Sequence, residues 1–156
     1  MGVLACAGCA AFTGDGDVQR ATQGPTADEI YMTRFLRGYA RLPTFDETQA
    51  WRADLDDRVS AYFVKRPDIG TSALATQFRF HRRVQVGMSR EEVTLLLGPA
   101  EATTTDGKLM EAAAKRFWPQ VKERAREMWI YPAGWQLYFD GDRLVDLTVA
   151  GRPPIE

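Results

Sequence analysis

Residues 84–100, VQVGMSREEVTLLLGPA, constrain the fold of this chain more than any other stretch. Ser89 and Glu92 stand at S-x-x-E spacing. A serine there accepts the N–H of the third helical residue, and the glutamate reaches back to the serine N–H, closing a capping box. Val93, Leu96 and Leu97 follow at i, i+3 and i+4 and share one helical face. Gly98 suits the left-handed position that ends a helix, and Pro99 stops its continuation. The stretch predicts a short apolar strand, a one-sided helix and a stop. None of its side chains is an obvious catalyst.

The chain before it reads as helices. Thr26-x-x-Glu29 repeats the capping-box spacing and opens a helix over about 27–41. Ile30, Phe35, Leu36, Tyr39 and Leu42 recur along it, and Pro43 ends it. Thr44-x-x-Glu47 opens a second helix over about 46–66, with Trp51, Leu55, Val59, Tyr62 and Phe63 in one stripe. That spacing alone explains Trp51, Tyr62 and Phe63 as core residues rather than a ligand box. Leu42–Phe45 joins the two helices into an αα-hairpin. A third helix, capped by Thr71 or Ser72, runs to about Arg82 with Leu74, Ala75 and Phe78 inward. Arg79, His81, Arg82 and Arg83 cluster at its end, where cations oppose the helix dipole. Arg82 and Arg83 are kept as candidates for an interaction surface.

After the central stretch, residues 101–105 suit an edge strand. Lys108–Trp118 is helix-prone, with Leu109, Ala112, Ala113 and Phe117 on a face, and Pro119 continues it to about Arg126. Lys115, Arg116, Lys122, Arg124 and Arg126 make this piece basic. Glu111, Glu123 and Glu127 partly offset them, as on a solvated amphipathic face. MWIY at 128–131, the alternating Trp135–Phe139 and the alternating Arg143–Val149 are strands, the last two joined by hairpin chemistry at Asp140-Gly141-Asp142. They predict a three-stranded antiparallel meander with one buried face. Gln136 and Tyr138 fall on its open face and are further candidates for an interaction surface. The expected fold is α+β, with N-terminal helices and helices packed on one face of a small meander. Residues 26–151 form one unit: a helical segment (26–83) and an α+β part (84–151) with a helical insertion at 107–127.

Composition narrows the function. The 156 residues carry a net charge of -1, so no global field draws the chain to nucleic acid or to an anionic membrane. The two cysteines, Cys6 and Cys9, both lie in the first ten residues, which excludes a disulfide framework for the fold. The single histidine, His81, has no companion at metal-ligand spacing. There is no H-E-x-x-H, P-loop, G-x-S-x-G or GxGxxG. The carboxylate pairs Asp56-Asp57 and Glu91-Glu92 fall on helix surfaces or at a helix start. We therefore expect no catalytic residue, metal, cofactor or small-molecule substrate.

The beginning of the chain, MGVLACAGC, is small, apolar and uncharged, and a Gly-, Thr- and Asp-rich stretch without hydrophobic period follows. It resembles a truncated bacterial lipoprotein signal at its lipobox, with a flexible tether over the rest of 1–25. Cleavage before Cys6 and cleavage before Cys9 both remain open; alanine follows either cysteine, as in lipoproteins sent on to the outer membrane. Further along, Gly87-Met88, Glu92-Val93, Leu97-Gly98-Pro99, Trp129, Tyr131, Leu137, Phe139 and Leu144-Val145 occur in the order of another family. Here the chain resembles the SmpA/OmlA (BamE-like) lipoprotein domain of Gram-negative outer membranes. The resemblance covers about 65–70 residues, interrupted by the insertion. It implies an α+β fold and a structural or accessory role, anchored on the periplasmic side of the outer membrane and partnered by envelope proteins. The alternatives are a soluble periplasmic protein-binding or inhibitory module and, third, an enzyme with an unrecognised site.

Overall fold

Strand-forming residues separated by capped helices give a sheet with helices on both sides. In a computed structural model, which describes residues 18–151, the chain is α+β as expected. Strands β1 (Val18–Ala21) and β2 (Gln23–Thr26) precede α1 (Ala27–Tyr39) and α2 (Phe45–Lys65). Two short turns, α3 (Pro67–Gly70) and α4 (Leu74–Thr76), lead into a π-helical turn at Gln77–His81. Then come β3 (Arg83–Gln85), α5 (Arg90–Leu97) and β4 (Ala102–Thr104). The insertion holds α6 (Gly107–Ala114), a 3₁₀ turn (Lys115–Phe117) and α7 (Trp118–Val121). Strands β5 (Glu127–Tyr131), β6 (Trp135–Asp140) and β7 (Arg143–Ala150) close the chain.

The expected meander is present, but it is the centre of a larger sheet. The order is β1-β7-β6-β5-β4, antiparallel throughout. Residues 18–25, expected as part of a flexible tether, therefore belong to two strands, β1 in this sheet and β2 in a separate pair with β3. Val18–Ala21 has no alternation to announce it. It becomes a strand by pairing with β7, from Val18↔Ala150 to Ala21↔Leu147, and Arg20 donates to the Asp146 carboxylate at 3.0 Å. In β2, which pairs with β3 apart from the main sheet, a Cβ on Gly24 would lie 2.9 Å from Leu147 Cδ2. Any larger residue there would have to displace the buried Leu147 side chain, which glycine avoids.

The second correction concerns the faces. Trp129, Tyr131, Trp135, Leu137, Phe139, Leu144, Leu147 and Val149 meet α1, α2, α5 and the π-helical turn in one hydrophobic cluster. Residues from both 26–83 and 84–151 share it, so the two segments are one folding unit. Met128, Tyr138 and Val145, on the other face, form a second cluster with Met110, Ala114, Val121 and Ala125 of the insertion. The insertion thus covers the face expected to be open. Its inward residues differ in part from the expected ones: Ala113 and Phe117 pack against the cluster as expected, but Met110 and Ala114 are the buried residues while Leu109 is 55 % exposed. Lys115 at φ +49° breaks the helix and resets its phase.

Candidate functional site

The αα-hairpin is built as the sequence suggests. Thr26 Oγ1 accepts the Glu29 N–H at 3.1 Å, and Thr44 with Glu47 completes a capping box at the start of α2. Between them Ala40 takes the left-handed conformation at φ +54° and donates to Leu36 O at 2.9 Å, turning the chain. At the base of the hairpin, Ala27, Ile30, Leu55, Val59, Tyr62 and Phe63 are buried in the main core. Residues 31–54 contain no buried side chain, although they include Tyr31, Met32, Phe35, Leu36, Tyr39, Leu42, Phe45 and Trp51.

The outer half of the hairpin is held by its own rings. Tyr31 stacks on Trp51, with centroids 4.3 Å apart and planes at 6°. Phe35 meets Tyr31 edge-on at 5.7 Å and Tyr39 at 4.4 Å, and the Arg41 guanidinium sits 5.0 Å over Phe35. Stacks and cation–π contacts of this kind contribute about 0.5–1.5 kcal/mol each. Arg52–Asp28 at 2.9 Å and Arg41–Glu47 at 2.8 Å cross between the helices or close the turn. The Arg41 guanidinium and the Thr44 N–H together hold the Glu47 carboxyl at about 2.

Where the hairpin leans on α5 there is a groove of about 400 Å³, walled by Tyr31, Arg34, Phe35, Tyr39, Trp51 and Arg58 and floored by Leu96, Leu97 and Gly98. Its arginines are already engaged. Arg34 donates to Leu97 O at 2.5 Å and Pro99 O at 2.6 Å; Arg58 donates to Leu95 O at 3.3 Å and to Asp54 at 2.9 Å. Both satisfy carbonyls left over at the end of α5, where positive charge also suits the dipole. The groove offers apolar surface and aromatic rings, with no paired carboxylates or nucleophile–base pair on its walls. Among the described residues no three or more His, Cys, Asp or Glu lie where they could hold a metal ion, and no helix is long and apolar enough to cross a membrane.

The candidates from the sequence fall elsewhere: Gln136 and Tyr138 meet through Thr148, while Arg82 and Arg83 lie with other partners. Tyr138 is fully buried under the insertion; its hydroxyl donates to Thr148 Oγ1 at 3.0 Å, whose own proton goes to Gln136, and burial pushes its pKa up to about 12. It cannot serve as an exposed contact. Gln136, half-buried beside it, accepts from Thr148 at 3.1 Å. Arg82 is tied to Asp56 at 3.1 Å and Arg83 to Gln23 at 3.3 Å, while Arg79 lies over Phe63, so the basic cluster is dispersed among separate partners. Cys6 and Cys9 lie outside the described residues.

The motif at Gly87–Pro99 is a clasp. Gly87 N donates to Leu144 O at 2.8 Å, Leu144 N to Met88 O at 2.9 Å and Arg90 N to Asp142 O at 3.1 Å, while Arg143 reaches back to Gly87 O at 3.0 Å. Arg90 also donates to Gly141 O and pairs with Glu127. At the other end of α5, the Tyr131 hydroxyl donates to Gly98 O at 2.8 Å. The Gly-Met-Ser and Asp-Gly-Asp-Arg-Leu pieces occur together because one backbone hydrogen-bonds the other.

Periodicity alone does not mark the outer hairpin as a surface, because its apolar residues continue the helical stripes of the buried base. One signal was present. Leu36, Tyr39, Leu42 and Phe45 continue apolar on both sides of Pro43, where an ordinary solvated turn is polar. Comparison with family models, with curated proteins and with solved structures found no match.

Proposed function

We propose that this chain is a non-enzymatic cell-envelope lipoprotein of SmpA/OmlA-like type. An N-terminal cysteine anchors it at the periplasmic face of the outer membrane, and it works by docking protein on its α1–α2 hairpin. The observation that carries the docking role is the outer half of that hairpin, which leaves Met32, Leu36, Tyr39, Leu42 and Phe45 exposed, outside the chain's own core. Single exposed apolar residues need no explanation, but a contiguous group on a projecting element marks an interaction surface. The lipobox-like start and the order of the motif residues support the envelope setting. The clasp supports reading that motif as scaffolding, which leaves the hairpin as the working surface.

The test is metabolic labelling with a fatty acid, comparing the wild type with Cys6→Ala and Cys9→Ala in the full gene product. Label lost in one of the two variants identifies the anchor. No label in the wild type removes the lipoprotein reading and leaves a soluble docking module.

A further inference from the structure

We infer that the protein seated on the hairpin is a second copy of this chain, the outer halves of two hairpins packing against each other about a two-fold axis. This rests on reading the hairpin as a docking surface and names its occupant.

Area comes first. Met32, Leu36, Tyr39, Leu42 and Phe45 are 37, 48, 66, 60 and 76 % exposed. At roughly 200 Å² for a large side chain, they present on the order of 600 Å². A stable interface takes about 800 Å² from each partner. The exposed edges of the half-buried Tyr31 and Phe35, together with the polar rim, supply the remainder. One self-complementary patch used twice meets that requirement without help from other surfaces.

Charge narrows the occupant. The cations of the outer hairpin are neutralised at home: Arg41 by Glu47, Arg52 by Asp28 and Arg37 by Glu101, while Arg34 is spent on the carbonyls of α5. No excess of one sign is left to attract anionic lipid or a strongly charged protein. A patch with apolar residues at its centre and internally paired ions at its rim is matched by one of the same composition. The architecture agrees. A lone pair of helices can bury only the faces they turn to each other, whereas two hairpins together bury the remaining stripes as a four-helix arrangement.

Sedimentation equilibrium of the full chain, from roughly 1 to 100 μM so that mass action is visible, tests this. The expected species has twice the 17.5 kDa of one chain. The double variant Leu42→Asp/Phe45→Asp, whose sites are exposed and whose folding is checked by circular dichroism, weakens association at least tenfold. Phe80→Asp, exposed beside Asp56, Val59 and Ser60 at the base of α2 rather than at the tip, leaves it unchanged. A monomer throughout, or a dimer indifferent to the double variant, overturns the inference.

A photo-crosslinking amino acid in place of Phe45, in cells, separates the two readings. A crosslinked homodimer supports both. A crosslink to a different protein, with a monomeric purified chain, overturns the second copy and leaves the docking surface standing. No protein crosslink, with the monomer binding vesicles of phosphatidylethanolamine and phosphatidylglycerol through the same residues, overturns both.

Discussion

The two ends of the α1–α2 hairpin have the same kind of sequence and opposite surroundings. Near the base, Ile30, Leu55, Val59, Tyr62 and Phe63 are buried against the sheet. Near the tip, Leu36, Tyr39, Leu42 and Phe45 face outward. Both halves are amphipathic, both are capped, and Trp51 is in register with Leu55 and Val59. Periodicity tells which side of a helix is apolar; it does not tell where the body that covers it ends. Helix α2 has 21 residues, on the order of 30 Å at 1.5 Å per residue, and the sheet and α5 cover only part of that length.

Substitutions should separate the ends, and the largest effects belong to the body. Leu55→Ala empties a fully buried site and should cost about 2–5 kcal/mol in a urea melt. Leu42→Ala, in dilute protein, should fall within about 0.5 kcal/mol of the wild type. Equal losses would break the distinction between base and tip.

Glycines give a contrast of sign. In Gly134, at φ +80°, a Cβ would lie 2.4 Å from Ala150 O, while a Cβ on Gly38 meets nothing within 4 Å. Gly134→Ala should destabilise by about 2 kcal/mol or more. Gly38→Ala, inside α1, should stabilise by about 0.5–1 kcal/mol. A loss at Gly38 would mean that the outer hairpin is packed more tightly than described.

The capping boxes differ in degree. Ser89 and Glu92 are buried at 8 and 2 % exposure, and the Ser89 N–H to Glu92 Oε1 bond helps set α5 into the clasp. Ser89→Ala should cost about 1–2 kcal/mol by thermal melt and Thr44→Ala, in water at the tip, about 0.5–1.

The smallest effect is on pH dependence at the tip. The Glu47 pKa is lowered from 4.5 to about 2, first by the hydrogen bond from Arg41 and then by the Thr44 N–H. A depressed carboxyl contributes its stabilisation above the unfolded pKa and loses it as pH falls through the folded one. The start of α2 should therefore fray between pH 4.5 and 2 while the body's amides stay protected. NMR titration of the Glu47 side chain checks this. A midpoint at the ordinary glutamate value would show that the Arg41–Glu47–Thr44 arrangement does not persist in solution.

Local signals carried the elements well. Both complete capping boxes, the Pro43 and Pro99 stops and the meander follow from neighbouring residues. What could not be read is what long-range pairing creates. Val18–Ala21 is a strand because β7 offers an edge more than a hundred residues away. The second sheet face is closed because Met110 and Ala114 of α6, and Val121 beyond the break at Lys115, pack over Tyr138. Tyr138 looked exposed for a related reason: strict alternation assigns it to the face opposite Leu137 and Phe139, and nothing local says that a helical layer lies there. The candidate surface was half legible. Its residues read as helical and apolar, and Trp51 reads as core, where it does pack partly buried, but spacing does not show that Leu36, Tyr39, Leu42 and Phe45 lie beyond the covering body.

The central claim is that the chain's own core stops near residue 55 of α2 and that the hairpin beyond it is completed from outside. Hydrogen–deuterium exchange along α2, at low and high protein concentration, tests it most directly. At low concentration, the amides of residues 48–54 should exchange roughly a hundredfold faster than those of residues 55–63, since local opening follows buried contact. Raising the concentration should slow the first group and leave the second unchanged. Uniform protection along α2 at every concentration would contradict the claim.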